Sequence, residues 1–339
     1  MLGLVLHRFN LLTAEAGTEH LRTPNGKLRI VMGSPIEMPF ETARELLDYV
    51  SPLNEVWNKG KYVFRGQPSD QYKLIPSVCR NGEGSFAYGS PSRMFDKSSS
   101  GQVGFELNIL RRFLDGCDRS GLVVPGYSEQ VKRKLSDHPF LFPESFLPWP
   151  PEQPYEIMAV AQHYDVPTRL LDWTERSFVA CYFAAASANF ELDSMNMSKI
   201  AVWALDTTYD DSWKTVKIIR TPGGTSRNQA AQSGLFTTHN VTAYGINDEY
   251  QSEALDDVDE IYSRARSLRP LIKMTLPVSE APELLELCSR MGVDGSTLFP
   301  GFHGVAKMVR DWANVEVGVR HSQSAIDEYK ADSYDSDFN

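Results

Sequence analysis

The chain has 339 residues, 42% of them hydrophobic and 11% aromatic, enough to build a sizeable core as one large domain with appendages. A formal net charge of −10 disfavours nonspecific binding to a nucleic-acid backbone, which needs clustered Lys and Arg against phosphates. No apolar run approaches the length of a membrane span, and Met1 to Leu6 lacks the basic leader of a secretory signal. The four cysteines, Cys79, Cys117, Cys181 and Cys288, lack the paired spacing of zinc or dithiol sites, so a cytoplasmic protein with reduced core thiols, no bound metal and no membrane partner is expected.

In chain order, Leu28 to Met32 reads as a strand ended by Gly33-Ser34-Pro35. Glu41 to Val50 places Ala43, Leu46, Leu47 and Val50 on one helical face. Tyr62 to Arg65 reads as a strand with Val63 and Arg65 on one side and Tyr62 and Phe64 on the other, ended by Gly66. Residues 81–104 are rich in Gly and Ser and predict a loop, after which Phe105 to Phe113 becomes helical with Glu106 beside its apolar stripe. Six prolines between 139 and 154 predict irregular connecting chain.

Lys199 to Leu205 is nearly all apolar, as in a strand buried on both faces, and Val216 to Ile219 and Leu271 to Met274 are further strands. The acidic run through residues 244–264 reads as a solvated insertion. Ser279 as N-cap, Pro282 in the first turn and Gly292 as C-cap bound a helix with Leu284, Leu287, Cys288 and Met291 on one face. The polar, acidic residues 314–339 read as a frayed tail.

The segment Tyr155 to Phe190 carries the chemistry. Two apolar helices flank the polar hinge Pro167 to Thr174. In the first, Ile157, Val160, Ala161 and Tyr164 form a stripe, while Gln162 and His163 share the opposite side with Met158 and Ala159 and need partners or a ligand. The second helix, from about Glu175, has almost no polar face and belongs in the core, with Thr174 or Asp172 as its N-cap. Arg169 just upstream suits a phosphate or carboxylate near free helix amides, and an internal Arg169–Asp172 ion pair explains the same residues without a ligand.

These residues also carry a family resemblance. Phe64-Arg65-Gly66-Gln67, Leu74-Ile75-Pro76-Ser77 with Arg80, Glu106, the run Ala161 to Thr174 and the later Gln232 to Phe236 and Leu298-Phe299-Pro300 resemble, in order, the landmarks of the FRG domain family, with Asp165 where Gly is usual. The resemblance covers about residues 41–313, leaving 1–40 as an N-terminal extension. It implies an α+β fold with a mixed or antiparallel central sheet packed by helices. A weaker similarity to the ADP-ribosyltransferase fold implies NAD as co-substrate. On that reading Arg65, Gly66, Gln67, Gln162, Thr168, Arg169, Trp173 and Thr174 bind the dinucleotide, and Glu106, His163, Asp172 and Gln232 form the catalytic set. Gln232 stands where that fold has a catalytic Glu, and a neutral amide cannot balance developing positive charge. The expected function is therefore an NAD-dependent ADP-ribosyltransferase-like or NAD-hydrolysing effector of bacterial toxin or phage-defence type. The alternative is a non-catalytic module binding a nucleotide or protein. A metal-dependent nuclease using Glu106, His163 and Asp172 comes third, since their spacing matches no known ligand pattern.

Overall fold

The computed structural model describes residues 20–23, 26–29, 33–80, 99–136, 148–188, 198–222, 227–242, 254–263 and 269–316. A hairpin of β1 (His20–Thr23) and β2 (Gly26–Arg29) precedes the main body, so the expected first strand begins earlier than residue 28, and its last residues, 30–32, lie outside the described part. The main body is α+β, as expected, and centres on a seven-stranded mixed sheet.

In chain order the sheet strands are β3 (Ile36–Pro39), β4 (Tyr62–Gln67), β6 (Leu171–Thr174), β7 (Lys199–Asp206), β8 (Val216–Ile219), β9 (Gly234–His239) and β11 (Leu271–Pro277). Their spatial order is β3-β11-β7-β4-β6-β9-β8, with β3 and β11 parallel and every other neighbouring pair antiparallel. A two-residue pairing of β5 (Pro148–Trp149) with β10 (Val241–Thr242) lies outside this sheet and tethers the end of the proline-rich connection.

Strand β7 lies between β11 and β4 and is buried on both faces. Ile200, Val202 and Ala204 join the core on one side, and Ala201, Trp203 and Leu205 join the core on the other. The first core is completed by α1 (Ala43–Val50), α5 (Ser177–Ala186) and α8 (Ala281–Arg290). The expected face of α1, Ala43, Leu46, Leu47 and Val50, is buried, and Thr42 caps the helix by accepting from the Glu45 amide. A third core gathers α2 (Ser99–Arg119), α3 (Glu129–Ser136) and α4 (Tyr155–His163) around Trp149, Leu170 and Phe236.

Several sequence expectations are corrected. Gly66 does not end β4, which continues to Gln67. Gly66 is instead where α5 lies directly on the strand, because a Cβ there would stand 2.0 Å from the Ala180 carbonyl oxygen and 2.5 Å from the Ala184 amide nitrogen. The 81–104 loop is shorter than predicted, since α2 starts at Ser99 and buries Gly101, Gln102, Val103 and Gly104; residues 81–98 lie outside the described part.

The acidic run is not wholly a solvated insertion. Ala254, Leu255, Val258 and Ile261, the last within α7 (Asp259–Ser263), are buried, and Asp256 accepts a hydrogen bond from the Leu74 amide. Acidic residues spaced between apolar ones hid that pattern. Tyr164 lies past the end of α4 and is exposed, while Met158 and Ala159 are buried. Glu280, not Ser279, occupies the N-cap of α8, because Val278–Glu280 forms a tight 3-10 turn first. Two further helices, α6 (Arg227–Gln232) and α9 (Gly295–Leu298), precede the last described helix, α10 (302–316). None of the described helices is long and apolar enough to cross a membrane.

Candidate functional site

Strands β4 and β6 are neighbours in the sheet but share a single registered pair, Phe64 and Thr174. On one side of that pair the Arg65 guanidinium fills the space between the strands. Its Nη1 donates to the Asp172 carbonyl oxygen at 2.7 Å and lies 3.6 Å from Asp172 Oδ2. Only 13% of the Arg65 side chain is exposed, and its buried Nε has no hydrogen-bond partner. Burial pulls the Arg65 pKa below the ordinary arginine value; the Asp172 carboxylate opposes this and the positive charge of Arg80 adds to it. A buried guanidinium with an unused donor is a costly arrangement.

Asp172 is the open part of this cluster, with 61% of its side chain exposed. Its Oδ1 accepts from Gln162 Nε2 at 2.8 Å, and the Gln162 side-chain Oε1 accepts a hydrogen bond from the Thr168 hydroxyl. Thr168 is fixed in turn: its hydroxyl accepts from the Leu170 amide, and its own amide donates to Ser77 Oγ. The hinge therefore holds Gln162 and Asp172 in a defined relation to Arg65. Four of the sequence-selected residues, Arg65, Gln162, Thr168 and Asp172, converge here.

The others lie elsewhere. Glu106 and Arg169 form a separate buried knot, their side chains 4% and 3% exposed. Arg169 meets the carboxylate through both Nε, at 3.0 Å to Oε2, and Nη2. Trp149 Nε1 and Gln102 Nε2, each at 2.8 Å, supply two further donors to Glu106. Neither ligand nor Asp172 is needed to explain Arg169, since the partner is a carboxylate 63 positions away. Gln67 is buried between Trp203 Nε1 and the Lys73 carbonyl, and Trp173 Nε1 donates to Thr237. Gly66 serves the α5 approach.

Thr174 does not cap α5, whose N-cap residue is Arg176 without a side-chain cap; its hydroxyl donates to the Gln232 carbonyl oxygen and accepts from the Arg176 amide. Gln232 Nε2 donates to the Leu298 carbonyl oxygen. His163 is exposed at the end of α4, with its Nε2 2.9 Å from Asn228 Nδ2. Among the described residues no group of three His, Cys, Asp or Glu is placed to hold a metal ion.

On the other side of the Phe64–Thr174 pair lies a cavity of about 640 Å³. Trp57, Tyr62, Phe64 and Phe178 contribute aromatic wall, and Lys61, Glu175, Arg176 and Arg220 contribute charge. Glu175 is 3.6 Å from Arg220, and Arg176 Nη1 donates to the Ala231 carbonyl oxygen. The volume falls in the range of small-molecule and cofactor sites. Sequence reasoning missed these residues. Their signal was position, since Lys61 immediately precedes β4 and Glu175 and Arg176 immediately follow β6, at strand ends where charged groups must otherwise be solvated.

The FRG domain family model matches residues 126–192, the stretch that holds α4, the hinge, β6 and α5. The chain carries an FRG domain. The matched part of the FRG domain includes Gln162, Thr168, Asp172 and the Glu175-to-Phe178 edge of the cavity, while Arg65 and Glu106 lie outside it and reach it only through the fold. No curated protein and no solved structure matches the chain.

Proposed function

We propose that this FRG-domain protein binds an NAD-type dinucleotide and breaks its glycosidic bond, passing ADP-ribose to water or to a target. The observation that supports the reading is Arg65, a largely buried guanidinium with an unpartnered Nε beside the open Asp172 carboxylate. A diphosphate oxygen bound at the Arg65 guanidinium would make charge-assisted hydrogen bonds with it. In the reaction the bond from nicotinamide nitrogen to ribose carbon breaks, its electron pair leaves with nicotinamide, and positive charge develops on the sugar. A nearby carboxylate stabilises that charge. Glu106 is fully engaged with Arg169, Trp149 and Gln102, so the role falls to Asp172, with Gln162 orienting it. The adjoining cavity supplies room and cations for the rest of a dinucleotide. Such turnover in a cell would deplete NAD or modify a target, as a toxin or defence effector does.

Nicotinamide release from NAD by purified protein tests this. Asp172→Asn is expected to abolish release while keeping the thermal shift that NAD gives, and Arg65→Ala to lose both. A wild type that gives no nicotinamide release above a heat-treated blank and no thermal shift with NAD overturns the reading. A second reading, a nucleotide-binding module without chemistry, is favoured by Gln232, whose amide is committed to the Leu298 carbonyl and which offers no carboxylate. A thermal shift with NAD and no nicotinamide supports it.

A further inference from the structure

The last described helix, α10, docks on the body through one narrow face. Asp311 accepts from the buried Tyr182 hydroxyl at 2.5 Å, and Gly304 lies so close to α9 that a Cβ would stand 2.6 Å from the Gly295 carbonyl oxygen. Val315 packs on the main core. Turning away from that face, the helix carries a second apolar stripe. Phe302 is 95% exposed, Val305 47%, Val309 51% and Trp312 63%. Spacings of three, four and three place all four on one side of a helix, at the positions of a coiled-coil seam. Ala306 and Ala313 are exposed along its flank. Single exposed apolar residues are ordinary, but a contiguous stripe headed by two aromatics marks a contact surface.

The order of the stripe says what fits it. Read in either direction it is aromatic, valine, valine, aromatic, with the same spacing. A second copy laid antiparallel across a two-fold axis sets Phe302 on the partner copy's Trp312 and Val305 on its Val309, so the surface is complementary to itself, as an isologous interface requires. Its size also suits a modest dimer. Two aromatics that bury about 150–250 Å² each, with two half-exposed valines, give roughly 500 Å² per copy and about 1,000 Å² per pair, the lower bound for a specific interface. A net charge of −10 argues against an anionic membrane surface as the occupant. We propose that α10 is a homodimerisation element that pairs antiparallel with α10 of a second copy through Phe302, Val305, Val309 and Trp312. The stripe is independent of the Arg65 site, so either proposal can fail without the other.

Sedimentation of the full chain across the micromolar range tests it. The wild type is expected to shift from monomer to dimer with concentration, and Val309→Glu to stay monomeric, with a melting temperature equal to the wild type's at concentrations where the wild type is monomeric. Register is tested by disulfide formation. Val305→Cys mixed with Val309→Cys should cross-link on oxidation, and each alone should not; the native Cys79, Cys117, Cys181 and Cys288 are buried. A wild type that stays monomeric throughout, or a dimer that Val309→Glu leaves intact, overturns the proposal. So does a monomer whose melting temperature Val309→Glu lowers, which would show the stripe to be covered by another part of the same chain.

Discussion

Truncating Glu106 to alanine should cost the protein much of its stability, by an amount that can be worked from the contacts the carboxylate makes. Its two oxygens accept from Arg169 Nε and Nη2, Gln102 Nε2 and Trp149 Nε1. Glu106→Ala takes the Glu106 carboxylate away from the Arg169 guanidinium, which is 3% exposed. Breaking one partner of a buried ion pair costs about 3–5 kcal/mol. The Trp149 donor facing the lost carboxylate would add about 1–3 kcal/mol if nothing relaxed, and Gln102 Nε2 less, since it also donates to the Val78 carbonyl oxygen. These terms overlap, because water entering the vacated space would satisfy some donors, so a net loss of about 4–6 kcal/mol is expected, a large share of a typical total of about 5–15 kcal/mol. Urea unfolding followed by tryptophan fluorescence and circular dichroism measures it. The double variant Glu106→Leu with Arg169→Met should recover most of the loss, since a well-packed apolar pair avoids burying either charge. A Glu106→Ala protein within about 1 kcal/mol of wild type, well under the cost of an unpaired buried charge, would refute the knot as a structural element. It would return Glu106 to the list of groups free for catalysis.

Gly66→Ala sets a methyl against the Ala180 carbonyl and the Ala184 amide, both helix backbone, so α5 must lift from β4. We expect a loss of several kcal/mol or failure to accumulate folded protein, read by circular dichroism and soluble yield, whereas Gly116→Ala, with nothing near its Cβ, should be tolerated. Stability should also fall on acidification. Burial pulls the His239 pKa below its ordinary 6.5, with the charge of Arg169 acting in the same direction and Glu260 opposing. The unfolded chain then binds this proton more readily than the folded one, so the contribution is intact above pH 6.5 and is lost as pH falls through the unfolded value towards the lower folded one. Melting temperatures of wild type and His239→Gln across that window check it. A variant as acid-sensitive there as the wild type would exclude His239 as the source.

Residue patterns alone made much of the fold legible. The spacing of Ala43, Leu46, Leu47 and Val50 determined the buried face of α1, and the unbroken apolar run at Lys199 to Leu205 determined a strand covered on both sides. Both follow from the fixed periods of helix and strand, which act within a few residues. Four of the motif residues, Arg65, Gln162, Thr168 and Asp172, also meet in the fold. What sequence could not determine was which polar groups are already satisfied. Arg169 looked like a ligand site or a partner for Asp172 until the fold set it against Glu106, and Glu106 looked free until Arg169, Trp149 and Gln102 surrounded it. Gly66 looked like the end of a strand until α5 was placed on it. The cavity beside Tyr62 and Glu175 lies where β6 ends at Thr174, its one registered pair with β4, while β4 runs on past it. Each of these is a distance between residues far apart in the chain, and local periodicity carries no information about such distances.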